Sequence, residues 1–276
     1  GFGAGVFKAV GRSDRIPAGF VPLPEFGIDK LEPQWCGGDL LLQLCSDDPL
    51  TLSHALRVLI NDAKVFATAR WTQRGFRNAA DTSPVGTPRN LMGQLDGTAN
   101  PQSGKEFDEH IWVRDGSWLS GGTMLVLRRI RMELEKWDIL DRGAKELAVG
   151  RRLRSGAPLG GRHERDPVDL TAMDSNGLQV IPPAAHVRRA REGGGGQCLL
   201  RRGYNYDDGP RPDGSSNAGL IFAAYQADIE RQFLPIQQRL AAMDALNEWT
   251  APIGSAVFVL PPGCSSGGWL GETLLS

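Results

Sequence analysis

A chain of 276 residues with 31 Lys and Arg against 32 Asp and Glu carries a formal net charge of −1, which lacks the basic surplus that displaces counterions from a nucleic acid. Hydrophobic residues make up 41% and charged residues 23%, a balance that suits one large core or two modest ones. No apolar run reaches the roughly 18–20 residues that span a bilayer, and no basic-then-apolar leader is visible.

The opening stretch GFGAGVFKAV predicts a strand end followed by a short helix, and DLLLQLCSD from Asp39 reads as an apolar strand. Asp47 and Asp48 ahead of Pro49 signal a helix start, after which Leu52, Leu56, Leu59, Ile60 and Ala63 share one helical face. VFATARWTQRGF predicts another strand. The turn-rich stretch NAADTSPVGTPRNLMGQLDGTANPQSG follows, and long irregular segments of this kind are more often functional than idle. In TMLVLRRIRMELEKW, Met124, Val126, Ile130, Met132 and Leu134 alternate with a second set that turns polar at Arg129, Arg131, Glu133 and Glu135. That is a period-2 strand with one apolar and one largely polar face. Arg128 falls on the apolar side, where its charge needs a strong acceptor: a structural ion pair, a rim position or a cofactor carboxylate.

Residues 150 to 183 read as loop, QCLLRRGYNY as a strand, and LIFAAYQADIERQFLPIQQRLAAMDAL as two helical pieces meeting near Pro235. SAVFVLPPG supplies a last strand. Strands and helices mix without regular alternation, which predicts an α+β fold with antiparallel sheets.

Cys36, Cys45, Cys198 and Cys264 contain no C-x-x-C pair, so neither a zinc site nor a redox dithiol is indicated. His54, His110 and His163 share no metal-binding spacing either. The chemistry concentrates in three segments: GQLDGT from Gly93, AAHVRRA from Ala184 and LLRRGYNY from Leu199. Singly each has an ordinary reading, since Asp between glycines marks a turn, a lone His is usually hydrogen-bonded, and paired arginines usually face solvent.

Together and in this order the segments resemble the dye-decolorising peroxidase family, of the exported bacterial subgroup. Gly93, Asp96 and Gly97 match its G-x-x-D-G signature, His186, Arg188, Arg189 and Ala190 its proximal histidine motif, and Arg201 its distal arginine. Similar segments run from about Thr87 to the end, including SGGTMLVLRRIRMELEKWD, NAGLIFAAYQADI and GSAVFVLPPG. The resemblance implies two ferredoxin-like α+β domains, here residues 1–115 and 116–276, the first lacking its opening strand and helix. Either the sequence is truncated or processed at that end, or the missing segment comes from another polypeptide, and a homo-oligomer is a further expectation. The resemblance also implies one haem b per chain, an exported location, and a peroxidase that reduces hydrogen peroxide while oxidising dyes, phenolics or similar donors.

The same resemblance makes His186 the axial iron ligand, Asp96 the acid–base and Arg201 the fixed cation beside the peroxide. It places Leu220 and Phe222 around a tight distal cavity, Asn100 where it orders distal water, Thr98 on the loop beside haem, and Arg128 among the cofactor contacts. The chemistry agrees. Neutral imidazole is a standard haem ligand, one carboxylate can take and return a proton, and a guanidinium cannot deprotonate. An aspartate base, with an ordinary pKa of about 3.9, predicts turnover favoured at acidic pH. Bulky donors are expected at the haem edge or at surface radicals, with Tyr204, Tyr206, Tyr225, Trp112, Trp249 and Trp269 as possible relays, though core packing is the ordinary reading of each. The alternative reading is a haem-handling protein, for which His186 alone suffices.

Overall fold

The computed structural model describes residues 1–77, 86–191 and 197–276. Helices α1 (Ala4–Ala9), α2 (Pro49–Ala63) and α3 (Lys105–His110) precede strand β1 (Thr123–Met132). Helices α4 (Leu134–Asp138), α5 (Arg142–Val149) and α6 (His186–Arg191) separate it from β2 (Leu200–Arg201), β3 (Tyr204–Pro210) and β4 (Ser216–Gln226). Helix α7 (Leu234–Met243), β5 (Thr250–Leu260) and α8 (Glu272–Leu275) complete the order.

The five strands form one antiparallel sheet, ordered β2-β4-β1-β5, with β3 also paired to β4. The α+β class and antiparallel sheet are as expected. Among the described residues the N-terminal part adds no sheet of its own. Its extended stretches lie along the edge of β5 instead, through the amides of Lys30, Glu32 and Gly37 and a reciprocal pair between Phe2 and Val259.

Strand β1 stops at Met132, and both of its faces are covered. On one, Met124 and Val126 join Phe7, Phe20, Leu199, Ala224, Ile229 and Phe233, while Met132 packs with Met92, Trp137, Ala148, Val149 and Leu220. On the other, Leu125 and Leu127 meet Ala223, Ala256 and Phe258. The alternation is as predicted, but the polar face is not solvated. Arg129 is 3% exposed, its guanidinium stacked between the rings of Trp35 and Tyr206 at 4.2 and 4.1 Å. It also donates to Gln73 and Asp208. Residues near 35 and 73 roof this face, a long-range fact that no local pattern carries.

Three other expectations change. The stretch LIFAAYQ is strand rather than helix: β4 is central, bonded to β1 on one side and to β2 and β3 on the other, so sheet pairing overrides helix propensity. Gly219 permits that density, since a Cβ there would lie 2.0 Å from the Ile130 carbonyl oxygen. The two N-terminal runs predicted as strands form only isolated bridges, Phe2 with Leu40 and Phe76 with Asn205, because an extended run becomes a strand only where a neighbouring backbone accepts its bonds. The predicted helix α2 is present, capped by Asp48 on the amides of Leu50 and Thr51, though none of its residues is buried.

Candidate active site

The loop bearing Asp96 is a tight hairpin. Arg89 and Leu95 bridge across it, the Asn90 side chain accepts from the amides of Met92 and Gln94, and Gly93 takes φ +81° at the turn. Asp96 donates its amide to the Pro88 carbonyl at 2.8 Å. The loop's flanks are tied together from outside: Thr87 and Thr98 both donate hydroxyls to Glu164 Oε1, at 2.5 and 2.8 Å. Burial pushes the Glu164 carboxyl up, but those hydrogen bonds and the charges of Arg165 and Arg151 outweigh it and hold it below the ordinary range.

Arg201 ends β2 and reaches back to this hairpin. Its Nη1 donates to Asp96 Oδ1 at 2.9 Å. Asn100 grips its backbone twice, accepting from the Arg201 amide at 3.0 Å and donating to the Arg201 carbonyl at 2.7 Å. Asp96 Oδ2 has no hydrogen-bond partner among the described residues.

His186 opens α6. Gly150 lets that helix approach α5, since a Cβ there would lie 2.4 Å from Val187 Cγ1. His186 Nδ1 and Asp244 Oδ2 are 2.5 Å apart, while Asp244 Oδ1 accepts from the Leu246 amide and so cannot turn away. Burial lowers the imidazole pKa, yet the charge and hydrogen bond of Asp244 together raise it above its ordinary value. Nε2 makes no hydrogen bond among the described residues. The side chain is 33% exposed against 5% for Asp244. The charges of Arg201 and Asp96 both reach it, placing all three in one electrostatic neighbourhood. Among the described residues, no group of three or more His, Cys, Asp or Glu side chains is arranged to hold a metal ion.

The N-terminal Dyp-type peroxidase model matches residues 1–77 and the C-terminal one residues 87–265. The chain belongs to the Dyp-type peroxidase family. The Dye-decolorizing peroxidase of Thermobifida fusca is 46% identical over the whole chain, which covers 66% of that relative. The Deferrochelatase of Escherichia coli K12 is 35% identical over 96% of the chain and 65% of the relative. The chain thus spans just under two thirds of the length of these curated relatives. Among solved structures, a DyP-type peroxidase from Cellulomonas bogoriensis aligns with TM-score 0.96 and 51% identity, covering 100% of this chain and 77% of that one. Ferric DtpA from Streptomyces lividans aligns with TM-score 0.95 and 39% identity, covering 100% and 76%.

Within this Dyp-type chain, Leu220 shares a small cavity with Asp96, Asn90, Gly203 and Asn205. Phe222 lies on the same face of β4, its ring 6.2 Å from Phe233. Thr98 follows Asp96 on the same loop, with its hydroxyl committed to Glu164. Asn100 gives its Oδ1 and one Nδ2 hydrogen to the Arg201 backbone and so positions the arginine. One expectation needs correction. Arg128 pairs with Asp29, at 2% and 0% exposure, and its other terminal nitrogen donates to Ser255. Its burial is therefore answered by a protein carboxylate and not by a cofactor's.

Asp244, Glu164, Arg151 and Arg191 escaped sequence reading. Asp244 lies 58 residues from His186, in a turn that looks like any helix start. Burial first, and then the charges of neighbouring arginines, lower the pKa values of Arg151 and Arg191, with Arg201 acting on both. Of the relay candidates, Tyr206 is core: its ring lies on Arg129, its hydroxyl is buried without a partner among the described residues, and burial pushes its pKa up to about 12. Trp249 packs against Trp137 at 5.3 Å.

Proposed function

We propose that this chain binds one haem b through His186 and reduces hydrogen peroxide at the expense of an organic donor such as a phenol or dye. The observation that carries this reading is the pair of contacts, Asp244 on His186 Nδ1 and Arg201 on Asp96 Oδ1, near enough for the charges of Asp96 and Arg201 to act on the imidazole. The residues suit haem. An imidazole with Nδ1 on a carboxylate presents Nε2 as a lone-pair donor to iron, and the crowded guanidinia of Arg151, Arg191 and Arg201 favour an anionic group such as a propionate.

Haem bound there supplies the iron at which the peroxide O–O bond breaks. Asp96 Oδ2 accepts the proton from one peroxide oxygen and returns it to the other, which leaves as water. Arg201 keeps its charge throughout and holds the negative charge that develops between those two transfers. Asn100 fixes where that charge sits by gripping the backbone that carries it.

Peroxide reaction rates of the haem-loaded protein test the assignment. Asp96→Asn is expected to lose roughly 10²–10⁴-fold and Arg201→Leu roughly 10²–10³-fold, both with an intact Soret band. Unchanged rates in both variants would refute the mechanism. A second reading, haem handling with little peroxide turnover, draws on the similarity to the Deferrochelatase of Escherichia coli K12. It requires His186 alone, so under it the two variants behave as wild type. Failure to develop a Soret band on reconstitution would refute both.

A further inference from the structure

A surface hollow lies behind the Asp96 hairpin, not between His186 and Arg201. It encloses about 330 Å³ and is lined by Arg89, Gly93, Arg142, Leu153 and Arg154. Arg89 is fixed by three carbonyls, those of Gly93, Leu153 and Arg154, at 2.6 to 2.9 Å. Carbonyls orient a guanidinium without cancelling its charge. The one carboxylate these arginines contact among the described residues is the buried Glu146. It accepts from Arg142 at 2.8 Å, from neighbouring Arg152 at 2.9 Å and from the Leu153 amide at 3.0 Å. Arg154 has no ion pair or side-chain hydrogen bond among the described residues. The hollow therefore holds a surplus of oriented positive charge beside the apolar Leu153 side chain, and glycine at position 93 leaves it open.

We propose that this hollow binds an organic carboxylate, the anion forked by Arg142 and Arg154 and its aromatic body laid against Leu153. Planar guanidinia match a carboxylate in two-point fashion, and the volume suits one small ring compound. That the ring is an oxidisable donor rests on the peroxidase reading. Binding itself does not.

Calorimetric titration of the haem-loaded protein with 4-hydroxybenzoate at low salt tests this, with phenol as the uncharged counterpart. Saturable benzoate binding is expected, weakened about tenfold by Arg154→Gln and by Arg142→Gln, screened by added salt, absent for phenol, and without displacement of the Soret band. Equal affinity in both variants, equal binding of phenol, or a benzoate-dependent Soret shift that places the anion at the iron would each overturn the proposal. None of these measurements uses peroxide, so the groove and the peroxidase mechanism stand or fall separately.

Discussion

Asp244 acts through His186, whose ring it orients. It pairs with Nδ1 and thereby leaves Nε2 as the nitrogen that would ligate iron under the proposed function, and its own second oxygen is anchored by the Leu246 amide. Carboxylates in this position orient a ligating imidazole and increase its basicity. Asp244→Asn is therefore expected to weaken haem affinity roughly 10–100-fold at pH 8 while leaving the fold intact, as measured by transfer of haem to an acceptor globin. An unchanged transfer rate would reduce Asp244 to a turn residue. His186 itself was readable as a ligand only in the company of Asp96 and Arg201. Those three positions sit in motifs, whereas Asp244 is set by how α6 meets the turn after α7.

Among the elements, the hairpin around Asp96 is held by Glu164 as well as by its own turn, since that carboxylate bonds a threonine on each flank. The folded carboxyl titrates below its ordinary value. Its contribution is thus complete above the ordinary carboxyl range and is lost as pH falls through the depressed folded value. Glu164→Ala is expected to cost about 1 kcal/mol near pH 7, allowing for partial exposure, with the deficit shrinking on acidification. Denaturant titrations of both proteins across pH 3–7 measure it, and a deficit that grows toward acid would contradict the clamp. The depressed value also keeps the hairpin tied into the acidic range in which an aspartate base is expected to work.

The same scale shows why the sequence was partly legible. Helix α2 was visible because Asp48 and Pro49 act on adjacent residues. The inner face of β1 was visible because alternation is local. Strand β4 read as helix because its apolar residues are continuous, as befits a strand bonded on both edges. The burial of Arg129 was invisible because Trp35, Gln73 and Asp208, which enclose it, come from distant parts of the chain.

Across the whole molecule, the N-terminal part is joined to the sheet by charge as well as by backbone bonds. Asp29 and Arg128 are sealed from water between residues 26–32 and the centre of β1, with the Phe26 ring 5.5 Å from the guanidinium carbon. Such a pair is worth little against a well-packed apolar substitute, but breaking it leaves one charge stranded in the interior. Asp29→Leu is accordingly expected to destabilise the protein by about 3–5 kcal/mol, and Arg128→Leu similarly. The double change Asp29→Leu with Arg128→Leu removes both charges and should recover most of that loss, which equilibrium unfolding of the four proteins can measure as a coupling energy. The cycle also decides the role of Arg128. If its charge serves Asp29, the double variant takes up haem with wild-type affinity. If it serves a cofactor carboxylate, stability returns while haem affinity does not. Recovery of both is the expected outcome, and a stable double variant that fails to hold haem would put Arg128 back in the cofactor site.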